Sequence, residues 1–285
     1  QIFSLPAGQL PSFTMFGLSL NAATIMFAAS LPLGLWLSRA GQTMIGRMMG
    51  LLYVILPTLA LILIDYTIGW WAAVVALIFW LLMVFMKNES VGFKWTMLPS
   101  LILLISIIAW PIGVASILRT PSPVEINLSQ AASWKISAQN VKEKPLFGTG
   151  PETFIFGFSK FKPENFNDSN FWAYRFDKAG SELAQVLSTT GTIGFLAYIS
   201  LFLFGLYSAW KILRDKQSED WYFKAAIVSS FIVLVLAAIL YYFNTSIAMS
   251  YWLILGLIAY YASAKTRDIS LTTSPRTSFL FSFGL

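Results

Sequence analysis

The chain has 285 residues, of which 57% are hydrophobic and 11% are charged, and its formal net charge is +6. Soluble domains carry about 25% charged residues, so this composition excludes an ordinary soluble domain and indicates a membrane protein. In such a protein the excess of positive charge reports orientation rather than nucleic-acid binding. The chain contains no Cys and no His, which excludes disulfides and removes the commonest metal ligand and general base.

Seven apolar runs follow one another along the chain, four before a long polar segment and three after it. Each approaches the roughly 20 residues that a helix needs to cross about 30 Å of hydrocarbon. Because only helices and closed barrels satisfy their backbone in lipid, these runs predict an all-α polytopic membrane protein with about seven transmembrane helices. The runs cover residues 13–37, 48–64, 68–86, 95–118, 191–210, 221–243 and 248–264.

The runs divide the chain into four parts. Residues 1–118 hold transmembrane helices 1 to 4, residues 119–190 form the polar segment, and residues 191–264 hold helices 5 to 7. Residues 265–285 form a tail without a clear period. The ordered regions of a signal peptide do not follow Gln1, so we expect none, and a start at Gln leaves open a longer protein upstream.

Lys and Arg residues are concentrated in alternate connections between the runs. They are Arg39, Arg47, Lys87, Lys94, Lys211, Arg214, Lys216, Lys265 and Arg267. The connections at Asp65 and at residues 244–246 hold neither Lys nor Arg. The positive-inside rule therefore places the basic connections in the cytoplasm and the polar segment outside, since long loops tolerate positive charge.

The first part of the polar segment predicts a short amphipathic helix. Pro121 and Pro123 end the fourth transmembrane helix, and Pro145 ends the helical pattern that follows. The apolar residues at helical spacing between them are Ala131, Trp134, Ala138 and Val141. Such a helix lies on the bilayer or packs on the bundle, either as a connector or as part of a substrate site.

A glycine-rich turn comes next, at residues 148–151. Gly148 and Gly150 let backbone amides approach a ligand closely, and a nest of amides of this kind can hold phosphate. Ordinary turn chemistry explains the same residues without a ligand.

Aromatic residues crowd positions 154–176, with Lys160 and Lys162 among them. They are typical of an interfacial aromatic belt with lysines that extend to the headgroups, and a platform for sugar rings and a lipid tail is the functional alternative.

A polar stripe then leads into the fifth transmembrane helix at Gly191. Its members, at positions i, i+4, i+7 and i+11, are Lys178, Glu182, Gln185 and Thr189. Polar residues that enter a membrane are candidates for function. The alternative is a plain helix cap with a Lys178–Glu182 ion pair.

Two sequence blocks carry a resemblance to a known family. The first is Lys144-Pro-Leu-Phe-Gly-Thr-Gly-Pro-Glu-Thr-Phe154, preceded by Ser133-Trp134-Lys135. The second is Gly180-Ser-Glu-Leu-Ala-Gln-Val-Leu-Ser-Thr-Thr-Gly191, which continues to Gly194 and into an apolar run. Together they resemble the signature of the O-antigen ligase/polymerase family, in which a Trp-containing helix and a Pro-Leu-x-Gly-x-Gly turn precede a later helix.

The resemblance extends over about residues 50–215. It implies a GT-C-like all-helical membrane fold and transfer of a glycan from an undecaprenyl-pyrophosphate carrier. It places the reaction at the outer face of the bacterial cytoplasmic membrane, with no metal and no other cofactor. The implied partners are the lipid-linked glycan, the membrane, and a glycan, lipid or protein acceptor, with no nucleic acid.

The chain departs from the family pattern at three single positions and at one pair of residues. The family His falls on Gly180, its Asn on Ser181 and one Arg on Gln130, and a Ser-Arg pair has no counterpart near Asp65. The usual base and the usual phosphate-binding arginines are therefore missing. Either the chemistry has been reassigned to other residues or it has been lost.

If the chemistry has been reassigned, other residues of this chain must supply the catalytic base and the cations that bind pyrophosphate. Glu182 is the first candidate for the catalytic base and Asp177 the second. Candidates for substrate binding are Arg175, Arg119, Lys178, Lys144, Gly148, Gly150, Gln185 and Trp134. A non-catalytic protein that binds the lipid-linked glycan is the first alternative function. A transporter of an unrelated class is the second, although no span holds the deep charge or paired helix breaks typical of transporters.

Overall fold

The computed structural model describes residues 19–87, 93–112, 126–163, 166 and 174–263. Of these residues 80% are helical, and they include no strand. The helices of this part are α1 Leu20–Ala40, α2 Met44–Ile64, α3 Thr67–Met86, α4 Phe93–Ile112, α5 Gln130–Glu143, α6 Phe154–Phe161, α7 Glu182–Arg214, α8 Trp221–Leu240 and α9 Thr245–Ala262.

Six of the described helices are long and apolar enough to cross a membrane, namely α1, α2, α3, α7, α8 and α9. The chain is therefore an all-helical, multi-pass membrane protein. The apolar part of α4, Thr96–Pro111, is shorter than a span. The predicted fourth span continues to residue 118, and residues 113–118 lie outside the described part. Seven spans thus remain a prediction.

Most of the helix starts follow from short polar residues at the N-cap. Each of these side chains accepts a hydrogen bond from the backbone N–H three residues later, which satisfies one of the free amides of the first turn. The N-cap residues of this kind are Ser19, Thr43, Ser129, Ser181 and Asn244. At the end of α2, Asp65 is left-handed with φ of 52°, and its carboxylate accepts from Trp70 Nε1 at 2.8 Å.

The bundle packs around α1, α3 and α8. α1 contacts α2, α3 and α8, while α7 and α9 pack on α8 from the other side. Small residues bring these helices close together: a Cβ at Gly50 of α2 would overlap the backbone of Ser38 in α1. Close packing of small residues is the usual source of helix association in lipid, where hydrophobic burial adds little.

The basic connections share one end of the bundle, here called the basic end. Lys216 Nζ donates to the Met86 carbonyl at 2.6 Å, and Lys211 Nζ donates to the Ala262 carbonyl at 2.9 Å. The Arg39 guanidinium lies 3.7 Å from the centre of the Tyr222 ring. The distribution of charge predicted this grouping.

The opposite end, here called the loop end, holds α5, α6 and the connections at residues 65–66 and 241–244. A hydrogen bond of 3.0 Å joins the Ser19 and Tyr241 hydroxyls there. Which end faces the cytoplasm remains a prediction.

A small second core lies under the loop-end helices. It contains Leu128, Ile136, Phe154, Phe158, Ala179 and Ala184. The rings of Phe158, Phe166 and Phe176 meet edge to face, with centroids 5.4, 5.4 and 6.0 Å apart. Several residues of the aromatic stretch therefore form a core rather than the interfacial belt that the sequence favours, whereas Phe156 remains exposed.

Helix α5 is present, but its buried face differs from the predicted one. Ala131, Trp134 and Ala138 are exposed, and Val141 is only partly buried. The buried residues are Ser133, Ile136, Ser137 and Asn140. Short polar side chains are buried because they bring α5 close to α7 and find hydrogen-bond partners there.

Candidate functional site

A sharp kink at Gly191 divides α7 into a loop-end segment, residues 182–190, and a longer segment, residues 192–214. Gly191 has φ of 68° and ψ of −166°. A residue with a Cβ rarely adopts this conformation, and only glycine does so without strain. The sequence predicts the start of the fifth span at this residue.

The glycine-rich turn docks on this kink through four backbone hydrogen bonds. The Thr149 and Gly150 amides donate to the Ser188 and Thr189 carbonyls at 3.1 and 2.9 Å. In return, the Thr192 and Ile193 amides donate to the Pro145 and Leu146 carbonyls at 2.9 and 3.2 Å. The two blocks that carry the family resemblance therefore meet at the kink.

This docking occupies the amides that the sequence predicts as a phosphate nest. The Gly148 amide donates to the Lys144 carbonyl at 3.1 Å, and the Gly150 amide is used by α7. Gly148 has φ of 64° and Gly150 has φ of 108°, so both glycines are required by the shape of the turn. The turn thus holds the kink, and a phosphate could use these amides only if they left their present partners.

Helix α5 runs alongside the loop-end segment of α7 and joins it through a seam of three polar residues. Ser133 Oγ accepts from the Gly180 amide at 2.7 Å, and Ser137 Oγ donates to the Ala184 carbonyl at 2.8 Å. Asn140 Nδ2 donates to Ser188 Oγ at 2.6 Å. The apolar periodicity of the sequence does not indicate this seam. Its signal is the spacing of the three residues at i, i+4 and i+7, which places them on one helix face.

Gln130 and Gly180 occupy the positions where the resemblance implies an Arg and the His. Gln130 Nε2 donates to the Gly180 carbonyl at 2.7 Å and to the Leu240 carbonyl at 3.0 Å. This amide therefore joins α5, the start of α7 and the end of α8. A Cβ at Gly180 would overlap the Leu128 carbonyl, so the backbone must shift before any side chain fits at this position.

Glu182 is the first residue of α7 and is held at two points. Its amide donates to the Tyr241 carbonyl at 2.9 Å, and its carboxylate oxygen Oε2 accepts from the Phe243 amide at 2.9 Å. The other oxygen, Oε1, accepts no hydrogen bond from the described residues. The side chain is half-buried. The fold thus orients one carboxylate oxygen and leaves the other available.

Lys178 and Gln185 lie beside this carboxylate. Lys178 attracts Glu182 electrostatically, but among the described residues no ion pair within 4.0 Å joins the two. Lys178 Nζ lies 5.5 Å from the centre of the Tyr242 ring, and Gln185 Oε1 accepts from the Ala179 amide at 2.8 Å. Three of the predicted site residues therefore come together at the loop end of α7.

The remaining predicted residues are more scattered. Arg175 and Asp177 are exposed in the segment that leads into α7. Trp134 is exposed on α5, and Lys144 is exposed at its C-cap. Because Asn140 pairs with Ser188 in the seam, Lys144 lies beyond Ser188 and away from Glu182 at the start of α7. Arg119 lies outside the described residues.

No protein-family model matches the chain, and no curated protein matches it either. Within the described ranges, no group of three or more His, Cys, Asp or Glu residues could hold a metal ion.

Proposed function

We propose that this protein transfers a glycan from an undecaprenyl-pyrophosphate carrier to a hydroxyl group of an acceptor, as a divergent O-antigen ligase or polymerase. It would have a GT-C-like fold and act at the outer face of the bacterial cytoplasmic membrane. The observation that carries the proposal is the meeting of the two signature blocks at Gly191. The docked turn and the loop-end segment of α7 form one rigid unit, and Glu182 stands at the end of that unit.

The chemistry needs one base. The acceptor oxygen attacks the anomeric carbon of the donor sugar, and the bond between that carbon and the pyrophosphate oxygen breaks. The acceptor proton passes to Glu182 Oε1, and the carrier leaves as undecaprenyl pyrophosphate. Because pyrophosphate is a good leaving group, no general acid is required. The Phe243 amide holds Oε2, so the carboxylate is oriented before the acceptor arrives.

Cations near the base stabilise the charge that develops on the leaving pyrophosphate. Arg175 precedes α7 and is exposed, so its planar guanidinium is available to bind phosphate oxygens in pairs. Lys178 lies between Arg175 and Glu182 in the chain and adds a second positive charge. Arg119 and Lys144 are further candidates, and Trp134 offers a flat surface to a sugar ring.

A non-catalytic function, binding or presenting the same lipid, is favoured by one specific observation. Gln130 and Gly180 stand where the resemblance implies an Arg and the His, and both are engaged in structural hydrogen bonds. A protein that has lost its transfer chemistry would be free to use these positions for stability.

The substitution Glu182→Gln separates the two functions. The full chain is reconstituted in vesicles with a defined undecaprenyl-pyrophosphate glycan and an acceptor, and transfer is measured. We expect a fall of about 10²–10⁴-fold, the usual cost of a lost general base. The variant should fold, because a glutamine oxygen can still accept from the Phe243 amide.

Two control substitutions accompany this experiment. Asp177→Asn should change transfer little, and Glu143→Gln should only remove an exposed ion pair of 2.6 Å with Lys160. If Glu182→Gln transfers at the wild-type rate, Glu182 is not the base. If the wild-type protein binds the donor lipid but transfers nothing, the non-catalytic function is supported instead.

A further inference from the structure

Two tyrosine hydroxyls in the interior of the bundle lack any hydrogen-bond partner in the part of the chain that the structure describes. They belong to Tyr198 on α7 and Tyr251 on α9. Tyr251 is 1% exposed, and both oxygens are shielded from solvent. Because a hydroxyl buried in an apolar bundle without a partner is costly, two such groups side by side point to a ligand that pairs with them.

The two hydroxyls lie in the same region as the candidate base. The rings of Tyr198 and Tyr251 stack with centroids 6.2 Å apart, and Tyr251 lies 5.5 Å from the Phe243 ring. The amide of Phe243 is the donor that holds Glu182 Oε2. A continuous series of contacts thus connects the two tyrosines to Glu182.

Glu182 and Tyr198 lie on opposite sides of the kink at Gly191. They are 16 residues apart in α7, which corresponds to roughly 24 Å along a continuous helix. The kink interrupts that helix, and the contacts through Phe243 and Tyr251 connect its two segments. Because Tyr251 of α9 stacks on Tyr198, the two buried hydroxyls belong to the contact between α7 and α9.

We propose that Tyr198 and Tyr251 bind a small neutral hydroxylic ligand, which is either a water molecule or a hydroxyl group of the acceptor. A hydroxyl can accept from one phenol and donate to the other, which suits two phenol oxygens. A metal ion would need more oxygen ligands than these two side chains supply.

The first test is the thermal stability of Tyr198→Phe and Tyr251→Phe, measured on the purified full chain in lipid nanodiscs, first without and then with added glycan acceptor. Phenylalanine keeps the ring and removes only the hydroxyl. If a ligand pairs with the hydroxyls, each variant loses hydrogen bonds, and its Tm falls by about 2–4 °C. Tyr207→Phe and Tyr260→Phe are the matched controls on α7 and α9, since both tyrosines are exposed and their variants should keep the wild-type Tm.

A Tm that does not fall in the two tyrosine variants overturns the proposal. If the hydroxyls have no ligand, their removal relieves two unpaired buried groups, and the Tm of both variants stays the same or rises both without and with the acceptor. This arm requires no catalytic activity, so it remains decisive if the wild-type protein transfers no glycan.

A second test identifies the source of the hydroxyl and rests on the proposed function. If the acceptor supplies it, Tyr251→Phe raises the KM for the acceptor about tenfold and leaves the KM for the lipid-linked donor unchanged. If water supplies it, both KM values stay at the wild-type level while the Tm still falls. Failure of transfer by every variant and by the wild-type protein would count against the proposed function and not against the subsite.

Discussion

At the scale of single residues, Gln130 and Gly180 hold the loop end together. Gln130 joins the start of α7 to the end of α8, and Gly180 lets the chain pass directly beside the Leu128 carbonyl. The resemblance to the O-antigen ligase/polymerase signature implies an Arg and a His at these two positions. Under the proposed function, the chemistry would therefore come from their neighbours, chiefly Glu182, Lys178 and Arg175.

Arg175→Lys tests whether the leaving group is bound by a guanidinium. We expect transfer to fall by about one to two orders of magnitude, because lysine keeps the positive charge but cannot bind two phosphate oxygens at once. Removing a hydrogen-bond donor altogether would cost more, roughly 10²–10³-fold. Arg214→Lys at the basic end is the matched control and should leave transfer unchanged. If the Arg175→Lys variant inserts into the membrane normally and transfers glycan at the wild-type rate, Arg175 does not bind the leaving group.

At the scale of elements, the junction of the glycine-rich turn with α7 is the central feature of the loop end. A kinked helix leaves backbone carbonyls without their usual partners, and these must be satisfied if they are buried. The turn supplies the Thr149 and Gly150 amides to two of them. The kink and the turn therefore depend on each other, and neither is expected to persist alone.

Gly191→Ala should break this junction. A Cβ at Gly191 would meet the Gly148 amide and the Leu146 carbonyl, and φ of 68° adds strain of about 1–3 kcal/mol. We expect a lower Tm together with loss of donor binding, measured by thermal unfolding and by binding of the lipid-linked glycan.

Gly256→Ala in α9 is the matched control for this variant. Nothing lies within 4 Å of a Cβ at Gly256, and alanine in a helix interior should be neutral or stabilising by up to about 1 kcal/mol. Equal stability of the two variants would show that the kink does not require glycine.

At the scale of the whole molecule, the basic connections and the candidate site lie at opposite ends of the bundle. Lys211, Lys216 and Arg39 bind carbonyls or rings at one end of the bundle, whereas α5, α6 and Glu182 lie at the other. The positive-inside rule predicts that the basic end is cytoplasmic, and under the proposed function the loop end would then meet a carrier lipid that has been delivered to the outer leaflet.

Cysteine labelling tests this orientation cleanly, because the chain contains no native Cys. Ser159 is exposed on α6 at the loop end, and Glu219 is exposed between α7 and α8 at the basic end. We expect Ser159→Cys to react with an impermeant maleimide in intact cells and Glu219→Cys to react only after permeabilisation. The reverse pattern would place the candidate site in the cytoplasm and exclude the proposed reaction at the outer face.

The sequence by itself determined the class of the protein and most of its helices, whereas at Gly191 it predicted the start of a span and not a kink inside a helix. Long apolar runs predict spans because lipid requires each span to satisfy its backbone internally, which is a local property of about 20 residues. The alternation of charged connections predicted which loops share an end. The polar stripe predicted Lys178, Glu182 and Gln185 on one helix face, but α7 begins only at Glu182, so Lys178 lies in the segment before the helix.

Only the tertiary structure decided how the loop end is assembled. The apolar pattern of α5 predicted a face with Trp134, whereas the buried face carries Ser133, Ser137 and Asn140. Periodicity ranks residues by hydrophobicity, but burial here depends on hydrogen-bond partners in a helix more than 40 residues away. The stacking of Tyr198 on Tyr251 likewise joins two helices that are more than 30 residues apart in the chain, which no local pattern predicts.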